Sequence, residues 1–181
     1  MTSFLRKISR SKWYEQSWLN KNEAPADTLS DIKTEGNVLC FWEIENNQGN
    51  LARVIAALTA NYDKLSHFDY ALIDSQRLQN VGVQLEKTRG DTLDEGANIQ
   101  WHYEIRNMPA NKLAMVANAI LIDNFSKDNY AVNNNDKMPP RMFKNRIGCL
   151  LVGAIKAGNI ELNLLKDKLK EEISLLMKQK Q

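Results

Sequence analysis

A chain of 181 residues, 43% hydrophobic and 25% charged, has apolar material for one packed domain, and these proportions exclude a mostly disordered chain. The formal net charge of +2 excludes a global electrostatic case for nucleic acid and leaves only local patches to weigh. No apolar run approaches the roughly 18 residues a membrane helix needs, and the basic N-terminus is followed by no apolar stretch of the secretory-signal kind.

The two cysteines, Cys40 and Cys149, each lie in an apolar stretch. That predicts buried thiols rather than a disulfide and suits a reducing cytoplasm. With His67 and His102 distant from them and from each other, no zinc-ligand spacing exists, and neither a metal nor a cofactor is expected. No glycine-rich phosphate loop and no nucleophile elbow is present.

In chain order, residues 2–20 mix Arg6, Lys7, Arg10 and Lys12 with Phe4, Trp13, Tyr14 and Trp18. They read as an arm docked by its apolar side chains, with Ser9 or Ser11 capping a short helix. Residues 20–36 read as a polar connector, with a helical turn at 26–32 opened by Pro25. Val38–Glu45 alternates as a strand, emerging into water at its C-terminal end. Asn46-Asn47-Gln48-Gly49 is a turn by composition, and Asn50 is placed to cap a helix over 51–62. Phe68–Ile73 is a second strand, so residues 37–74 form a β-α-β core whose strands are expected to be parallel neighbours.

Beyond it, 75–80 reads as a helical turn and 81–87 as a strand. Residues 88–98 read as a loop, and the alternation of Trp101, Tyr103 and Ile105 as a strand whose other face, with His102 and Glu104, is wet. Pro109 opens an amphipathic helix to about residue 123, and 125–138 reads as an exposed loop. Two amphipathic helices follow, at 140–156, ended by Gly158, and at 161–178. The fold class is therefore α+β: a small mixed sheet of about four strands, with the C-terminal helices packed on it. An N-terminal basic and aromatic arm with its connector, 1–36, precedes a single domain, 37–181.

Three functional readings follow. Clustered carboxylates hold the magnesium ion of phosphodiester chemistry, and Glu43, Glu45, Asp69 and Glu104 would serve a nuclease if they met at one sheet edge. On wet strand ends the same acids only solubilise. The basic arm, Arg6, Lys7, Arg10 and Lys12 with Trp13, would neutralise phosphates and stack a base in a nucleic-acid-binding module. A second cluster, Lys137, Arg141, Lys144 and Arg146, sits at a helix start, where positive charge opposes the helix dipole and suits an acidic partner. The leucine stripe of the last helix is worth on the order of 8–15 kcal/mol when buried, either inside the chain or against a second copy. Without a catalytic signature, the expectation is a non-catalytic cytoplasmic accessory protein acting through protein–protein contacts. A metal-dependent nuclease or phosphodiesterase and a nucleic-acid-binding module are the alternatives.

Overall fold

The computed structural model describes residues 2–13, 24–32, 38–125 and 140–179. Its organising element is the one the sequence reading placed in an arm. Residues of β1 (Ser3–Lys7) run through the middle of the sheet, with Phe4 and Leu5 buried in opposite cores. A short strand with large apolar side chains on both sides must be covered on both faces, and a central position provides that. β1 pairs antiparallel with β2 (Leu39–Ile44) through Phe4 opposite Glu43, and with β3 (Phe68–Asp74) through Phe4 opposite Ile73. The expected β-α-β unit is thus present but split. β2 and β3 run in one direction with β1 inserted between them, so they are not hydrogen-bonded neighbours.

Every strand pair in the sheet is antiparallel, and the order is β4-β5-β2-β1-β3-β6, six strands instead of four. β4 (Glu86–Lys87) and β6 (Arg141–Met142) are two-residue edges, and β5 (His102–Ile105) pairs with β2 through Trp42 opposite His102 and Cys40 opposite Glu104. Very short edge strands leave little unpaired backbone to template association with another sheet.

Helices cover both faces. On the first lie α1 (Ala26–Ile32), α3 (Ser75–Asn80) and α5 (Ala110–Phe125), whose Ile32, Leu78, Val116 and Ile120 pack with Phe4, Phe41 and Ile73. On the second lie α2 (Leu51–Thr59), α4 (Glu95–Trp101), α6 (Lys144–Lys156) and α7 (Asp167–Gln179). They enclose Leu5, Trp42, Ile55, Phe68, Leu151 and Ile173. The stripe of α7 is therefore buried inside this chain at Leu169 and Ile173, while Leu175 stays exposed. None of the helices is long and apolar enough to cross a membrane, among the described residues.

Local chemistry accounts for the element ends. Asn50 stands at the N-cap of α2 without making a side-chain cap bond. Its amide instead receives the Glu45 N–H at 3.0 Å and donates to the Glu43 carbonyl at 2.9 Å, tying the turn to the end of β2. Gly158 ends α6 at φ 72°, with Asn159 N–H donating to the Ala154 carbonyl at 2.9 Å; this is the left-handed C′ position that favours glycine. Several expectations differ: of the strand expected at 81–87 only Glu86–Lys87 is formed, and Trp101, expected in a strand, ends α4. The polar segment 88–98 contains the start of α4, because the Asp94 carboxylate accepts the Ala97 N–H at 2.9 Å and caps it. The helix expected from residue 140 begins at Lys144, because the Pro140 carbonyl accepts the Tyr70 N–H at 3.2 Å and holds Arg141–Met142 as an edge strand. Next to Ser9 lies a 3-10 turn, Arg10–Lys12, and the rest of the helix expected there falls outside the described residues. Trp18, Lys137 and all but the first residue of the loop expected at 125–138 lie outside the described residues, and that first residue ends α5.

Candidate functional site

The four candidate carboxylates do not meet. Glu43 lies opposite Phe4, which lies opposite Ile73. Asp69 is four residues further along β3, roughly 13 Å away along the strand and two strand spacings across. Glu104 is on β5, three strands from β3 in the sheet order, or about 14 Å. Glu45 follows the end of β2 and is exposed. Each of the other three has its own neighbour. Arg106 Nε donates to Glu104 Oε2 at 2.9 Å, and Asp69 is bound by Arg141. Glu43 is hydrogen-bonded to the Tyr103 side chain, whose pKa is raised first by burial and then by that carboxylate.

What the fold does bring together is the two basic clusters. The register of β6 on β3 sets Arg141 opposite Asp69. Arg141 Nε and Nη2 donate to Asp69 Oδ1 and Oδ2 at 2.6 and 2.8 Å, a bidentate pair. From the other side, the backbone N–H of Arg10 donates to the same carboxylate at 3.3 Å, and His67 Nε2 stands 3.9 Å from it. Residues 10 and 141 are thus joined through one buried acid. Burial pushes the Asp69 carboxyl upward, but Arg141, the Arg10 N–H and His67 together hold it below the usual carboxylate range. Asp69 is a structural clamp in this arrangement, with both oxygens engaged.

Around that clamp the remaining cations separate into bound and exposed. Arg6 Nη1 donates to the Cys40 carbonyl at 3.0 Å, and burial lowers the guanidinium's pKa. Lys7 lies with Nζ 4.7 Å from the centre of the Tyr62 ring, a cation–π contact. The Tyr62 hydroxyl is pushed up to about 12 by burial and by the negative charge of Asp69. Lys12 and Lys144 are exposed. Trp13 is fully buried, with its indole N–H donating to Asp31 Oδ2 at 2.6 Å, so its ring is not presented to a base. Among the described residues the exposed ring of this region is Phe143, 66% accessible and set between Arg141–Met142 and Lys144. A helix starting at 140 would hold Phe143 in its inward stripe; the observed start at Lys144 leaves Phe143 at the N-cap, outside it.

A second polar group occupies the opposite face of the sheet. Cys40, His102 and Glu104 each offer one ligand atom, and all three lie within 4.8 Å of one another. His102 is buried, not on a wet face as expected, because α4 and the segment at Gly90 cover β5; a Cβ on Gly90 would stand 3.1 Å from His102 Cγ. Its Nδ1 is 2.9 Å from Thr88 Oγ1, and its ring meets Trp42 edge-on at 5.0 Å. Burial lowers the His102 pKa, so the imidazole is neutral at neutral pH, and burial raises that of the Cys40 thiol. Both thiols depart from the expectation of burial: Cys40 is half-buried and Cys149 is exposed on α6. It borders a shallow cavity of about 210 Å³ between α2 and α6 that Arg53, Ala56 and Asn159 also line. No protein-family model, no curated protein and no solved structure matches the chain.

Proposed function

We propose that this chain is a non-catalytic accessory protein that binds an acidic segment of a protein partner at the end of the sheet where β1, β3 and β6 meet. The observation that carries the reading is the convergence of two basic clusters, 130 residues apart in sequence, on Asp69. The Asp69 carboxylate there takes the Arg141 guanidinium and the backbone N–H of Arg10, and Lys12 and Lys144, two and three residues from these, are exposed. Phe143 adds an exposed aromatic ring of the kind that anchors protein interfaces. A nucleic-acid strand is the weaker fit, because Arg141 is paired, Arg6 is largely enclosed and Trp13 is inside. Magnesium-dependent phosphodiester chemistry loses its support from the dispersed carboxylates.

The test is capture of partners from the native host by the wild-type chain and by a Lys12→Glu, Lys144→Glu, Phe143→Ala variant, with cross-links mapped by mass spectrometry. The expected result is an acidic protein cross-linked near residues 12 and 144 and lost with the variant. Retention of every captured protein by the variant would sink the reading. A salt-dependent shift of an oligonucleotide, abolished by the same variant, would replace the protein partner with a nucleic acid.

A further inference from the structure

We infer that Cys40, His102 and Glu104 form a binding site for one divalent transition-metal ion of the zinc class. The three come from two neighbouring strands, and the register produces the grouping. Cys40 is paired with Glu104, and Trp42, two residues on, is paired with His102. Alternation by two puts positions 40 and 42, and 102 and 104, on one face of the sheet. Thiolate, imidazole and carboxylate are the zinc-type donor set, and a sulfur and a nitrogen together disfavour magnesium or calcium. Tetrahedral coordination needs donor atoms about 3.5 Å apart. The present separations are all within 4.8 Å.

The surroundings are those of a prepared site. His102 is held by Thr88 Oγ1 at Nδ1, by the Trp42 ring and by the close passage of Gly90. A hydrogen bond to one imidazole nitrogen fixes the orientation in which the other ligates, the usual outer-shell arrangement of metal-bound histidine. Both Arg106 contacts, from Nε and Nη2, fall on Oε2 of Glu104, which leaves Oε1 for an ion. Binding converts the Cys40 thiol to a thiolate and releases one proton to solvent, while the imidazole enters neutral. The thiolate and the carboxylate then balance the two positive charges of the ion. Three protein ligands leave a fourth position, and the half-buried Cys40 and Glu104 set it toward solvent, where water would occupy it.

The test uses cobalt(II) on the full, untagged chain carrying Cys149→Ser, in which Cys40 is the remaining thiol. Any thiolate-to-cobalt charge-transfer absorption then comes from Cys40, with no substitution in the site. The expected result is that absorption at one equivalent of cobalt, bleached by zinc. Glu104→Gln, at a half-exposed position, should weaken binding at least tenfold, and Thr88→Val by about 10–100-fold. His67→Gln should change nothing. Absence of a thiolate band in the Cys149→Ser chain overturns the inference, as does one-to-one binding indifferent to Glu104→Gln. The outcome is independent of the partner-binding reading, because the readout is the metal's own spectrum.

Discussion

Two clusters at one end of the same sheet, on opposite faces, put their polar atoms to different uses. Around Asp69 the carboxylate is satisfied: both oxygens are taken by Arg141, with the Arg10 N–H and His67 adding to them. Around Cys40 the thiol, one carboxylate oxygen and one imidazole nitrogen converge without consuming one another. A buried acid whose partners complete its coordination joins β1, β3 and β6, and its contribution is to the fold. Donor atoms that converge with lone pairs to spare are positioned for something outside the chain. Mutual satisfaction, more than residue type, separates a clamp from a site.

The largest effect that would break this comparison is at the clamp. Asp69→Ala leaves a half-buried guanidinium and a backbone N–H without their acceptor, and urea unfolding should show a loss of about 3 kcal/mol. A loss no larger than that of an exposed acid would mean that Asp69 joins nothing. Next is the neighbouring anchor of the N-terminal segment. Trp13→Phe removes an indole N–H donated to the Asp31 carboxylate and should cost about 2 kcal/mol by the same measurement.

Acid titration sharpens the contrast with a smaller effect. The folded-state pKa of Asp69 is depressed, so its contribution is fully present above the unfolded carboxylate value of about 3.9 and is lost as pH falls through the lower folded value. The stability difference between the wild type and Asp69→Asn should therefore be constant at neutral pH and shrink below about pH 4. A difference that widened on acidification would contradict the sign. The smallest stability effect is predicted at the exposed cations. Lys12→Glu with Lys144→Glu should shift stability within about 0.5 kcal/mol per site, while partner capture falls.

Much of the local structure was legible from residue patterns. Leu51, Val54, Ile55 and Leu58 mark α2 by helical spacing, and Pro109 and Gly158 bracket α5 and α6 where the structure has them. Of the core that the same patterns predict, Val38, Trp42, Val54, Ile55, Phe68 and Leu72, all but Val38 pack in one cluster. The errors arose where a side chain or a distant strand overrode composition. Asp94 starts a helix in a stretch whose two glycines, Gly90 and Gly96, argue for a loop. Pro140 closes a strand pair with Tyr70, 70 residues earlier. Ser3–Lys7 is too short and too basic to announce a central strand, and only β2 and β3 on either side make it one.

The candidate sites divide along the same line. Arg10 and Arg141 were visible as members of basic clusters, but their meeting at Asp69 was not, because no local pattern encodes the pairing of β6 with β3. His102 and Glu104 alternate like a wet face, and it took the helix capped by Asp94 and the segment at Gly90 to enclose that face. By itself the sequence determined the class of the fold and most of its helices, since these depend on periodicities of two and 3.6 residues that are local in the chain. The tertiary structure alone decided that β1 splits the β-α-β unit, that the four carboxylates stay apart, and that Cys40 meets His102 and Glu104. Those outcomes rest on strand order and register, which arise from long-range hydrogen bonds between segments with no periodic signature in common.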